Sequence, residues 1–184
     1  LAGPGGVLPL GSHGRGLNHF GFNPDFRTGD PVFAETESDD MSAYTRLEIN
    51  RGIRRFFDDR AANWDACVCP EHRGRLAGIV AALLPKPEAH VLDVGTGNGI
   101  MLPLLKNWAK RLTAIDLAGI MLAEAQRRHR DPATDFVQAD TLDLPFADGT
   151  FSLVLCNSCF PHFSDQGRAV RECARVLGPG GRLA

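Results

Sequence analysis

The ten residues from Val91 to Ile100 hold three alternating glycines, Gly95, Gly97 and Gly99, behind an apolar run that carries one acid, Asp93. Glycine lets a backbone turn tightly and lets a ligand approach where a Cβ would stand. A loop that opens a helix adds oriented N–H groups. The spacing is G-x-G-x-G, not the G-x-G-x-x-G of dinucleotide-binding loops. Asp93, two residues ahead of Gly95, would repel a pyrophosphate and suits a cationic amino group. Asp116 closes the apolar run from Arg111, where a carboxylate can accept both hydroxyls of a ribose. Asp140, followed by Thr141, closes the run from Thr134 and can accept from the exocyclic amine of an adenine. An amine-bearing group, a ribose and an adenine together describe S-adenosylmethionine.

Other residues invite chemistry with less direction. His162 follows the run Phe151 to Asn157 by a few residues and can take a proton near neutral pH. It is a candidate general base, substrate contact or packing residue. Cys67, Cys69 and His72 form one cluster and Cys156 and Cys159 another, but neither has a finger-like partner at the usual spacing, so no metal site is expected. They are read as small residues near a pocket. The cluster Arg51-Gly52-Ile53-Arg54-Arg55 is read as the solvated side of an amphipathic helix, in preference to an RNA-binding face.

The chain-wide properties agree with a small-molecule protein. The net charge of -2 over 184 residues gives no reason to expect a nucleic-acid partner, and no apolar run approaches membrane-span length. No secretion signal is evident. Five cysteines, odd in number and clustered, argue against a disulfide framework and for a reducing, cytoplasmic setting.

The elements that must position these residues follow from periodicity. Ile49, Ile53, Phe56 and Phe57 predict an amphipathic helix over 43–60, and Leu76, Ile79, Val80, Leu83 and Leu84 predict a second over 71–84, stopped by Pro85 and Pro87. Strands are predicted at 90–95, 111–116, 134–140 and 151–157, with helices over 99–110, 118–130 and 165–177 between or after them. Ser164 is the expected N-cap of the last helix, Ala169, Val170, Cys173, Val176 and Leu177 its apolar face, and Gly178-Pro179 its stop; residues 181–184 begin a fifth strand. Apolar strands alternating with helices imply a parallel sheet covered on both faces, with ligands at the carboxyl ends of the strands.

Residues 91–181 resemble class I S-adenosylmethionine-dependent methyltransferases, through VLDVGTGNG, LTAIDLAGIMLAEA, FVQADTLDLPFADGTFSLVLCN and RVLGPGGRL. The resemblance implies an α/β, Rossmann-like doubly wound, mainly parallel sheet. It implies that Asp93 and the loop residues Gly95, Thr96, Gly97 and Gly99 hold the methionine part of the cofactor. It puts Asp116 at the ribose, Leu117 against the adenine, Met121 among the cofactor contacts, Asp140 and Thr141 at the adenine edge, and Asn157 near the reacting methyl. FFDDRAANWD is similar to the segment that lids the cofactor in small-molecule members, with Phe57 and Trp64 at the matching positions. Ser152 stands where the family usually has an acid, with little consequence expected. The position occupied by Asn157-Ser158-Cys159-Phe160 lacks the motif of amino-nitrogen methylation, which tilts the expected acceptor towards a small molecule. The alternatives are a non-catalytic S-adenosylmethionine-binding protein and an RNA or protein methyltransferase.

The expected organisation is a disordered lead-in over 1–40, a helical lid segment over 41–88, and the cofactor-binding core over 89–184. Met41, the first methionine, is a candidate natural start. The family sheet runs 3-2-1-4-5-7-6, so this chain would supply five of the seven strands. A C-terminally truncated chain with an open sheet edge, and marginal stability, is the expectation.

Overall fold

The computed structural model describes residues 43–67, 70–83 and 88–184. The expected lead-in, Met41, Cys69, Leu84, Pro85 and Pro87 lie outside the described residues, as do the side chains of Cys67, His72 and Leu83. In chain order the elements are α1 (Ala43–Asp58), a 3-10 helix (Ala61–Cys67), α2 (Pro70–Leu83), β1 (Glu88–Val94), α3 (Leu102–Leu105), β2 (Ala109–Asp116), α4 (Gly119–Arg128), β3 (Thr134–Gln138), β4 (Phe151–Cys156), a short 3-10 helix (Phe160–His162), α5 (Gln166–Val176) and β5 (Leu177–Leu183).

The five strands form one sheet in the order β3-β2-β1-β4-β5. Every neighbouring pair is parallel, as the expected topology requires. The central strands β1 and β4 are apolar on both faces because each face is covered. Val91, Leu112, Ala114, Leu153 and Leu155 pack on one side with Leu76 and Val80 of α2, Leu102 and Leu105 of α3, and Ala125 of α4. Leu92, Val94, Ile115 and Val154 point the other way and cluster with Phe151 and with Cys173 and Val176 of α5. Helices on both faces, α2, α3 and α4 on one and α5 on the other, make the sheet doubly wound.

Ser152 links two strands. Its hydroxyl donates to the His90 carbonyl at 2.9 Å and lies 3.2 Å from the His90 amide nitrogen, joining β4 to β1 ahead of their register.

Several expected boundaries move. The helix predicted over 99–110 is only Leu102–Leu105, because the glycine loop still turns at Gly99 (φ +87°) and β2 already begins at Ala109, opposite Glu88. The N-cap of α5 is Asp165, whose carboxylate accepts from the Arg168 amide, whereas the Ser164 hydroxyl is drawn away to Asn50. Gly178-Pro179 do not follow a helix stop; they lie inside β5, which starts at Leu177 directly after α5 and pairs with β4 through an irregular register between Phe151 and Leu153. Val170 and Ile79, predicted on apolar faces, are exposed. In α2 only Leu76 and Val80 of the predicted stripe are seen to be buried.

Candidate functional site

One pocket opens at the carboxyl ends of the strands. β1 delivers Asp93 and the glycine loop, β2 delivers Asp116, and the loops after β3 and β4 deliver Asp140, Thr141 and Asn157. Leu117 and Met121 come from the turn into α4, and α1 and the first 3-10 helix close the opposite side with Ile53, Phe57 and Trp64. The loops are tied to one another at the strand ends. The Thr96 amide donates to the Ile115 carbonyl at 2.9 Å and the Ala139 amide to the Asp116 carbonyl at 3.1 Å.

Asp93 is fully buried and accepts the Thr96 hydroxyl at 2.7 Å. Burial pushes its pKa up to about 7, against the lowering effect of the Thr96 hydrogen bond, and the Asp116 carboxylate beside it adds to the rise. Asp116 accepts the Gly97 amide on one oxygen and the Ala118 amide on the other, both at 2.8 Å. Burial raises it too, to about 6, although these amides pull the other way. Each oxygen keeps a further lone pair, so the carboxylate can still accept two ligand hydroxyls. Asp140 accepts the Leu142 amide at 2.9 Å and the side-chain amide of Asn50 from α1.

Of the sequence-predicted residues, Asp93, Gly95, Thr96, Gly97, Asp116, Leu117, Met121, Asp140, Thr141, Asn157 and His162 all line this pocket. Gly99 does not. A Cβ there would lie 2.6 Å from the His129 ring, so this glycine lets the loop pack against the C-terminal end of α4. Gly95 has a packing duty as well: its φ is +64°, and a Cβ would lie 2.5 Å from the Cys159 Cβ. At Gly97 a Cβ would meet nothing closer than Trp64 Nε1 at 3.9 Å, which leaves the loop backbone open to the pocket.

His162 sits on the short 3-10 helix with its ring edge-on to Phe57, centroids 5.1 Å apart. Phe57 in turn packs on Trp64 at 5.4 Å. Burial lowers the His162 pKa, because it disfavours the charged imidazolium.

Sequence reasoning missed Asn50, Arg54, Phe163 and Ser164, which also line the pocket. Asn50 donates to Asp140 and accepts the Ser164 hydroxyl at 2.9 Å, joining α1 to two loops of the sheet. The one local signal for it was an amide between Ile49 and Ile53 in an otherwise amphipathic helix. Two further contacts fasten the same segment. The Asp58 carboxylate accepts the Ile120 amide at the start of α4, and Asp65 accepts from Asn98 and pairs with Arg128. At the rim of the pocket Arg54 pairs with Asp58, and Arg55, exposed, pairs with Asp59. Among the described residues no group of three His, Cys, Asp or Glu could hold a metal ion, and no helix is long and apolar enough to cross a membrane.

A parallel sheet in the order 3-2-1-4-5, with a carboxylate at each of three adjacent strand ends around one pocket, defines a Rossmann-like α/β protein with a candidate ligand pocket at the strand ends. Comparison narrows the class: residues 92–184 match a family described as "Methyltransferase domain", and the chain belongs to the class I S-adenosylmethionine-dependent methyltransferase family. It is 40% identical over 104 residues to a demethylmenaquinone methyltransferase of Thermus thermophilus, covering 54% of this chain and 47% of that protein. It is 32% identical over 167 residues to the 27-O-demethylrifamycin SV methyltransferase of Amycolatopsis mediterranei, covering 78% of this chain and 59% of that one. The fold matches a phosphoethanolamine N-methyltransferase of Haemonchus contortus, solved with phosphoethanolamine and S-adenosylhomocysteine, with a TM-score of 0.65 at 20% identity over 78% of this chain and 32% of that one. The chain thus spans about half the length of the relatives it matches.

Proposed function

We propose that the protein binds S-adenosylmethionine in this pocket and transfers its methyl group to a small-molecule acceptor in a cytoplasmic setting. The observation that carries the reading is the convergence of Asp93, Asp116 and Asp140 on one pocket beneath an open glycine loop. The residues fit the cofactor. Asp93 is buried with a pKa of about 7, and a cationic amino group beside it would favour its charged form. Asp116 keeps acceptor capacity for a ribose, and Gly97 leaves room for close approach.

When bound, the sulfonium supplies an already activated methyl group, so the protein's task is chiefly alignment. In this reading Asp93 and the loop Gly95–Gly97 hold the methionine part, Asn157 lies near the reacting methyl, Asp116 holds the ribose with Leu117 against the adenine, and Asp140 and Thr141 sit at the adenine edge, with Met121 among the cofactor contacts. Residues 41–88 act as a lid over the core 89–184, and Phe57 and Trp64 exclude water from the reacting end. His162, within the same pocket, takes the proton of a carbon or oxygen acceptor. A small acceptor is supported by the quinone- and rifamycin-directed names of the relatives. The formal net charge of -2 gives no reason to expect a nucleic-acid face.

Isothermal calorimetry with S-adenosylhomocysteine and with NAD tests the cofactor assignment. Binding of the first and not the second is expected. Binding of NAD with no response to S-adenosylhomocysteine would overturn it. Turnover of labelled cofactor against metabolite extracts then separates an enzyme from a protein that only binds.

A further inference from the structure

The loop after β4 carries a feature that neither cofactor binding nor proton transfer uses. Ser158 adopts φ +59°, uncommon for a residue with a Cβ, and turns the chain so that the Cys156 and Cys159 sulfurs face each other at 2.9 Å. Cys159 is buried in the pocket wall, and Cys156 is half-buried beside it. The Cys159 thiol also lies 3.0 Å from the Val94 carbonyl at the end of β1, so its one proton has two acceptors within reach. Its Cβ and Sγ fill the space that a side chain on Gly95 would need, at 2.5 and 2.9 Å. The glycine loop therefore rests directly on this sulfur.

We propose that Cys156 and Cys159 form a redox-active thiol pair, oxidised to an intramolecular disulfide by low-molecular-weight disulfides, and that this oxidation weakens ligand binding by the glycine loop. The chemistry is thiol–disulfide exchange. The Cys156 thiolate attacks one sulfur of the small disulfide, forming a mixed disulfide and expelling one small thiolate. Cys159 then gives up its proton and attacks the Cys156 sulfur, closing the protein disulfide and expelling the second small thiolate. Two protein thiols lose two electrons and two protons, and one small disulfide becomes two small thiols. Cys156 is suited to the first attack. The hydrogen bond from Cys159 lowers its pKa, while the same contact and burial raise that of Cys159. Cys173 is buried under α5 with its thiol raised by burial to about 11, which leaves it unreactive.

The consequence for the pocket follows from geometry. A disulfide draws the sulfurs to about 2.05 Å and removes the proton that Cys159 can offer to Val94. The Cys159 side chain must shift, and the Gly95 backbone packed on it must follow. The second half of the proposal rests on the pocket being the cofactor site; the thiol exchange itself does not.

The test uses the full chain with Cys67 and Cys69 replaced by serine. S-adenosylhomocysteine affinity of the reduced protein is measured first, then the protein is treated with glutathione disulfide and digested with trypsin. The peptide 131–168 contains both cysteines. It should become lighter by two hydrogen masses, and affinity should fall at least tenfold and return with dithiothreitol. Cys156→Ser, outside the pocket wall, should bind like the parent and ignore the oxidant. Failure of the peptide to lose two hydrogens overturns the thiol pair. A disulfide that leaves affinity unchanged, or a Cys156→Ser protein that still responds, overturns the coupling. If the reduced parent does not bind S-adenosylhomocysteine, the cofactor reading falls and the coupling with it, while the peptide mass still decides the thiol chemistry.

Discussion

On the sheet side of the pocket, Asp116 is held by two backbone amides and Asp93 by a hydroxyl three residues away, all at 2.7 to 2.8 Å. On the helical side, Asn50 reaches Asp140 and Ser164 across sequence separations of 90 and 114, and Asp58 and Asp65 make similar long-range contacts. The sheet wall is built from groups that the fold itself fixes. The helical wall is attached by side chains, each net hydrogen bond contributing only about 0.5–1.5 kcal/mol, over a small apolar cluster of Ala61, Ala118 and Met121 with Phe57 and Trp64. We propose that a pocket assembled this way has a rigid sheet half and a helical half that lifts for ligand entry. Substitutions on the sheet wall should act on stability and ligand affinity together, and those on the helical wall should act mainly on exchange of the ligand.

The hardest challenge to the rigid half is Gly95→Ala. The left-handed backbone costs about 1–2 kcal/mol for a residue with a Cβ, and forcing that Cβ against Cys159 adds about 1–3 kcal/mol of overpacking. A loss of about 2–5 kcal/mol in urea unfolding is expected, with the pocket distorted. Gly97→Ala keeps only the first cost, since nothing crowds its Cβ. Equal losses at the two positions would mean that the packing on Cys159 is not a constraint.

Asp116→Ala should weaken S-adenosylhomocysteine binding by about 1.5–3 kcal/mol, the contribution of hydrogen bonds to a charged group. Calorimetry measures it directly. An unchanged dissociation constant would remove the ribose role from the end of β2.

The carboxylates of the rigid wall also leave a signature in pH. Asp93 and Asp116 have folded pKa values of about 7 and about 6, above their ordinary value of 3.8. Between those limits the folded state binds protons that the unfolded chain has released, so these groups favour folding at low pH and that contribution is lost as pH rises towards about 7. His90, His129 and His162 are lowered by burial and act in the opposite sense below 6.5. The diagnostic quantity is therefore the difference between parent and Asp93→Asn in the ligand-free state. The variant should gain stability relative to the parent as pH rises from about 4 to about 7, and hold that gain above. A difference independent of pH would mean that Asp93 is already ionised throughout.

The rigid half was largely legible in the sequence because its signals are short-range. An apolar run ending in Asp93 and Gly95, and the runs ending at Asp116 and Asp140, locate the strand ends within a few residues; the alternation of strands and helices implies a parallel sheet, and the resemblance to class I methyltransferases supplies its strand order. What short-range reading missed was decided by contacts distant in the chain. Gly99 serves the His129 ring, Ser164 caps Asn50 in place of α5, and β5 claims Gly178 and Pro179 because β4 offers it a partner strand. The helical wall was legible as helices and as the aromatic pair Phe57 and Trp64. Its attachment through Asn50 was not, since an amide on a half-buried helix face carries no periodic signal.

That attachment gives the gentlest and most discriminating prediction. Asn50→Ala deletes the donor to Asp140 and the acceptor for Ser164 at once, but both sites are half-buried and Asp140 keeps the Leu142 amide. Water can replace the lost partners, so the stability change should be about 1 kcal/mol or less. The expected effect is kinetic. With α1 less firmly tied down, S-adenosylhomocysteine should leave several-fold faster in stopped-flow displacement, with the melting transition nearly unmoved. Ser164→Ala, which removes one of the two contacts, should fall between parent and Asn50→Ala. If Asn50→Ala lowered stability as much as Gly95→Ala and left the dissociation rate alone, the helical wall would be as much a part of the rigid core as the sheet, and the contrast between the two sides of the pocket would be lost.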